Sequence, residues 1–211
     1  GTISKLTGGK FANGAISGAI QGAMMGSRRN GASNGGEENG LPERLDNAQT
    51  RRIGEQATLE ANAALEDVRD VVYRTRREAA RAWKQRVRPI ADKYDTEIAS
   101  RFFNRKGGFE IGSATSDGFR YFVDPMNSIG SSPFLISAGY IHTHPGTALF
   151  SRNDMNTALD MYKSVNGNVH NGQFDQVVMV SLSNGDIRAW SASSWYSSGG
   201  KSMNEKYYEH Y

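Results

Sequence analysis

The 211-residue chain contains no cysteine. Disulfides and thiolate metal ligands are therefore excluded, and the chain can pass between reducing and oxidising compartments without mispairing. No apolar run approaches the roughly twenty residues needed to cross a bilayer, and no signal peptide is recognisable. These absences predict no stable membrane span, and export by carriage on another polypeptide or machine. Hydrophobic residues make up only 37% of the sequence, enough for one domain with a modest core plus extensions. Basic residues are scarce in the second half: residues 107–211 carry 6 Lys and Arg against 9 Asp and Glu, whereas residues 1–106 carry 19 against 13. Binding to a phosphate backbone depends on neutralising cations, so nucleic acid is not the partner expected for the second half.

Histidine is also rare, with four in the chain, yet two of them fall together in Tyr140-Ile141-His142-Thr143-His144-Pro145. The apolar run from Phe134 to Ile141 reads as a strand, in which residues two apart share a face, so His142 and His144 project the same way. Pro145 cannot donate to a sheet ladder and Gly146 permits a sharp turn, which ends the strand. Ser151-Arg152-Asn153-Asp154 then opens a helix through Met155, Leu159 and Tyr162, and also reads as a capping box. Two imidazoles and the Asp154 carboxylate make a three-ligand zinc site with its fourth position left for water, a catalytic rather than a structural arrangement. Hydrolysis at such a site also needs a carboxylate to carry the proton.

His-x-His-Pro followed by Ser-x-x-Asp resembles the JAMM motif of the JAB/MPN zinc metallopeptidases. The resemblance implies Zn2+ held by His142, His144 and Asp154, an acid/base glutamate on an upstream strand, and Ser151 donating to the tetrahedral oxyanion. Glu110, in Phe109-Glu110-Ile111-Gly112-Ser113, takes the glutamate role as the one such residue in the preceding β-like segment. The implied activity is peptidase or isopeptidase. A zinc-dependent deaminase, a nuclease and a non-catalytic JAB-like binding module stay open beside it, because metal chemistry does not fix a substrate and fold does not fix an activity.

A second resemblance lies at Ser4-Lys5-Leu6-Thr7-Gly8-Gly9-Lys10-Phe11-Ala12-Asn13-Gly14-Ala15. This stretch is similar to the segment that closes the conserved part of Rhs and related polymorphic toxins, just before their variable toxin domains. It implies a secreted effector of interbacterial competition that acts in the cytoplasm of a target cell. The partners so implied are a cognate immunity protein, the Rhs shell and secretion machinery, and a target-cell protein as substrate.

The chain divides by pattern into a Gly-rich junction segment and linker at 1–43, a helical region at 44–106 and a JAB-like domain at 107–211. Gly14, Gly18, Gly22 and Gly26 recur with zipper spacing, read as a flexible extension. Residues Leu45 to Arg88 read as helix along the stripe Ile53, Ala57, Ala61, Leu65, Val68, Val72, Thr75, Ala79, Trp83 and Val87. A split is expected at Gly54 and a break or restart at Pro89, before a second helical stretch from Ile90 to Phe103. Arginines and lysines between Arg69 and Arg88 interleave with acids, which predicts a solvated face. Beyond Gly108 the period becomes two: a hairpin pairs Phe109–Ser113 with Phe119–Val123, and Gln176–Leu182 and Ile187–Ser191 flank a turn. The expected fold is α+β, a JAB/MPN-like mixed sheet flanked by helices.

Overall fold

The computed structural model describes residues 47–146, 150–167 and 173–199, with the backbone of 208–210. The junction segment at 1–43, with the Rhs-like stretch and the glycine zipper, lies outside the described residues. Asp46–Tyr211 forms one compact unit. It opens with helices α1 (Asn47–Ala64), α2 (Glu66–Arg69) and α3 (Arg76–Tyr94) and the hairpin β1 (Ala99–Arg105) and β2 (Gly108–Thr115). After a 3-10 turn at Pro125–Asn127 come β3 (Ser137–Thr143), α4 (Arg152–Asn166), β4 (Val177–Ser181), β5 (Ile187–Ser191), α5 (Ala192–Ser197) and the short edge strand β6 (Tyr208–His210). The sheet order is β2-β1-β3-β4-β5-β6. β3 and β4 run parallel, joined by the crossover through α4, and the other neighbours are antiparallel. The architecture is thus α+β, a mixed sheet flanked by helices.

Each face of the sheet has its own core. On one, Ala57, Ala61 and Leu65 of α1 and its end, with Ala79, Trp83, Val87 and Ala91 of α3, meet Phe102, Ile111, Ile141 and Met179. Most of the apolar stripe expected from the sequence is buried here, from Ala57 to Val68 and from Ala79 to Val87, whereas Ile53 is half-buried and Val72 and Thr75 are exposed. The helix is interrupted at Leu65 and again from Asp70 to Thr75, on either side of the one-turn α2, rather than at Gly54. Thr75 starts α3 with a full capping box to Glu78, a local hydrogen-bond signal for a new helix start. Gly54 lies inside α1, and the absence of a side chain there admits the Ser116–Gly118 loop: a Cβ would stand 2.7 Å from the Gly118 backbone nitrogen. The opposite core joins Met155, Leu159 and Tyr162 of α4 to Tyr140, Val178, Val180 and Trp190.

Three expectations are corrected. Pro89 lies inside α3 on its exposed side, where the carbonyl left without a donor can turn to water. Residues Ile90 to Phe103 are not one helix, because Asp95 caps α3 in the left-handed conformation, φ 47°. Asp is one of the few non-glycine residues that tolerates this, and the chain leaves it as strand β1. That strand, not Phe119–Val123, is the hairpin partner of β2, with Phe103 opposite Glu110. The boundary expected between 106 and 107 therefore falls in the β1–β2 turn, and the helical region and the sheet belong to one unit.

The basic run on α3 is partly turned inward. Arg76 donates to the carbonyls of Ala138 and Asp175, while at the surface Lys84 reaches the Gly185 carbonyl and Arg86 pairs with Asp67. Among the described residues, no helix is long and apolar enough to cross a membrane.

Candidate metal centre

His142 lies near the end of β3 and His144 one residue past it. His142 pairs with Ala99 of β1 on one side and Val180 of β4 on the other. Its side chain leaves on the face covered by α4, as Tyr140 does. The phase depends on Gly139. Ala138 and Ile141 both pack towards α3, three positions apart, so the period of two is broken between them. The break coincides with the register shift opposite Phe102 and Phe103 and with Gly139 at φ 113°.

The two imidazoles converge, with Nε2 of His142 2.9 Å from Nε2 of His144. Asp154 enters from the first turn of α4. Its Oδ1 lies 3.4 Å from Nε2 of His142 and its Oδ2 3.7 Å from Nε2 of His144. Ser151 and Asp154 form the capping box expected: the Ser151 amide donates to Asp154 Oδ2 at 2.6 Å, and the Asp154 amide donates to Ser151 Oγ at 3.1 Å. The cap thus fixes both the helix start and the carboxylate that faces the histidines. Tyr140 adds a hydroxyl donor to the Asp154 carbonyl at 2.9 Å. Ser151 Oγ accepts in this cap, and its own hydroxyl proton stays free to donate elsewhere.

Glu110 does not join this group. Its carboxylate accepts the Ser131 amide at 2.6 Å and the Ser131 hydroxyl at 2.7 Å, and it pairs with Arg105 at 3.2 Å. It is a buried clasp that holds the β2–β3 loop against the β1–β2 hairpin. The carboxylate beside the histidines is Glu97, 5% exposed, whose Oε1 lies 3.7 Å from Nε2 of His144. Glu97 sits two residues before Ala99, the partner of His142, and so shares its face of the sheet. The helical reading of Ile90 to Phe103 hid it. The signal that could have found it is Asp95, a C-cap residue, followed by the alternating run Ile98 to Phe103.

Ligand atoms of Glu97, His142 and His144 lie within 4.8 Å of one another, and all three residues are buried. Two ligands each 2.0–2.1 Å from a tetrahedral zinc stand about 3.3 Å apart; the separations of 2.9 Å between the two imidazoles and of 3.4 and 3.7 Å from each to its nearer Asp154 oxygen bracket that value. The donor set fits as well. Two carboxylates and two imidazoles at one buried point need cationic charge, and a divalent ion supplies it where protons otherwise must. Protonation shows the need. Burial pushes the Glu97 carboxyl up to about 8, with the His142 charge opposing and that of Asp154 adding. Burial also disfavours the ionised Asp154, but His142, through its charge and hydrogen bond, outweighs it and holds the carboxyl down at about 2. For His142, burial favours the neutral ring, yet Asp154 and Glu97 carry its pKa above the ordinary value. The buried Glu97, His142 and His144, with the partly buried Asp154 beside them, are compatible with zinc.

Comparison of the chain with protein-family models and with curated proteins finds no match.

Proposed function

We propose that this chain is a zinc-dependent amide hydrolase of JAB/MPN type, a peptidase or isopeptidase that serves as the toxin domain of an Rhs-type antibacterial effector. The observation that supports it is the convergence of His142, His144 and Asp154 on one buried point with Glu97 beside them. A bound Zn2+ supplies Lewis-acid polarisation and brings the pKa of a water near about 7.

The division of labour follows from how each carboxylate is held. Asp154 is locked by its capping box and suits a ligand. The Glu97 carboxylate accepts no hydrogen bond from a described residue and is free to change protonation state, as a proton carrier must. In this mechanism Glu97 accepts the proton of the attacking water and delivers it to the leaving amine. The Ser151 hydroxyl donates to the oxygen on which negative charge develops, the task for which a preorganised donor is most effective. His142 and His144 stay neutral as ligands, each presenting Nε2.

The effector reading rests on residues 4–15, and its partners follow from it: an immunity protein that silences the site, the Rhs shell and secretion machinery that carry the chain, and a target-cell protein as substrate. The first test is zinc per chain by elemental analysis of the wild type and His142→Ala, purified identically. We expect near-stoichiometric zinc in the wild type and its loss in the variant. Zinc absent from both after reconstitution would remove the metal from the proposal and leave a binding module.

A further inference from the structure

Of the centre's two histidines, His144 is the one that the strands hold less. His142 is held between two strands, whereas His144 lies one residue past the end of β3, beyond the last β1 partner, Ala99. Its amide still donates to the Ser181 carbonyl at 3.0 Å, but its own carbonyl has no strand beside it. Pro145 follows, with no amide to offer. What meets that carbonyl is Arg88 of α3. Nη1 of Arg88 donates to the His144 carbonyl at 2.7 Å and to the Ser181 carbonyl at 3.0 Å. Its other edge is gripped by Asp92, with Nε 3.1 Å from Oδ2 and Nη2 2.5 Å from Oδ1. The Arg88 side chain is only 12% exposed.

We infer that Arg88 is a positioning residue for the metal centre, fixing the His144 imidazole through its peptide group; the inference rests on the reading of this site as a metal centre. The fold supports a dedicated role. Arg76 makes the same kind of contact at the other end, to the carbonyls of Ala138 and Asp175. The two arginines are twelve helical residues apart, about 18 Å at 1.5 Å per residue. Ala138 and His144 are six strand residues apart, about 20 Å at 3.3 Å per residue. Helix α3 therefore lies along the β3–β4 pair with one arginine on the carbonyls at each end. A lysine at 88 could not replace Arg88 fully: its ammonium is a point charge and cannot bridge two carbonyls and a bidentate carboxylate at once.

The test uses the chelator-treated full chain, with Zn2+ affinity from competition against a chromogenic chelator and the Co2+ absorption spectrum as the report of ligand geometry. Arg88→Met is expected to weaken zinc on the order of 10–100-fold, the usual effect of losing an outer support of a ligand, and to shift the Co2+ bands. Arg88→Lys should recover part of both. Melting in chelator establishes that each variant is folded, and if Arg88→Met does not fold, Arg88→Lys alone carries the comparison. Wild-type affinity and an unchanged Co2+ spectrum in a folded Arg88 variant would overturn the inference while leaving the metal centre intact. A wild type that binds neither metal would instead overturn the reading of the centre itself, and the inference with it.

Discussion

Glu97→Gln is expected to keep zinc and lose hydrolysis by roughly 10²–10⁴-fold, the usual contribution of a positioned acid/base, while Glu110→Gln keeps both. The two substitutions make the same carboxyl-to-amide change at two buried glutamates beside the same sheet, so they separate chemistry from structure. Glutamine at 97 retains the volume beside His144 but cannot accept and return a proton. At 110, a glutamine oxygen can still accept the Ser131 amide and its amide group can still donate to the Ser131 hydroxyl, so that only the ion pair with Arg105 disappears. That pair is half-exposed on the arginine side, and removing it costs little. The readouts are zinc content, release of new amines from a bacterial cytoplasmic extract, and growth arrest when the chain is made in the cytoplasm. Undiminished activity in Glu97→Gln would take Glu97 out of the mechanism; loss of activity in a folded, zinc-replete Glu110→Gln would put Glu110 back in.

The contrast shows where the sequence was legible. His142, His144, Ser151 and Asp154 are close in the chain, and their convergence needs only a strand, a turn and a capped helix, each with its own local signal. The apolar stripe of α1 and α3 was equally plain, since a 3.6-residue period survives whatever it packs against. Glu97 was not legible in the same way. Its place depends on a C-cap at Asp95 and on β1 pairing with both β2 and β3, contacts distant in sequence. Pro89 misled by suggesting a boundary where the helix continues, because its missing hydrogen bond faces water. Arg88 looked like one basic residue among many, and only tertiary structure distinguishes it and Arg76, which turn inward, from the rest.

Gly139→Ala is expected to cost more than about 4 kcal/mol, the range reserved for strain or severe overpacking in a core. Two independent penalties meet at this position. The backbone holds φ at 113°, a conformation that only glycine adopts freely. A Cβ built there would also stand 2.0 Å from the Val177 carbonyl oxygen and 2.5 Å from its nitrogen. Neither neighbour is the flexible end of a side chain: both belong to the backbone of the parallel strand β4, opposite which Gly139 is paired. Relief would require β3 to move away from β4 or to restore a regular period of two. The second route preserves pairing but turns every residue beyond 139 to the other face, because a one-residue change of phase inverts a strand. His142 and His144 would then point towards α3 and Trp83, away from Asp154. Loss of stability and loss of zinc should therefore appear together in Gly139→Ala, measured by chemical denaturation and elemental analysis. A variant folded to within about 1 kcal/mol of wild type and still zinc-replete would show that the bulge does not set the phase of the histidines.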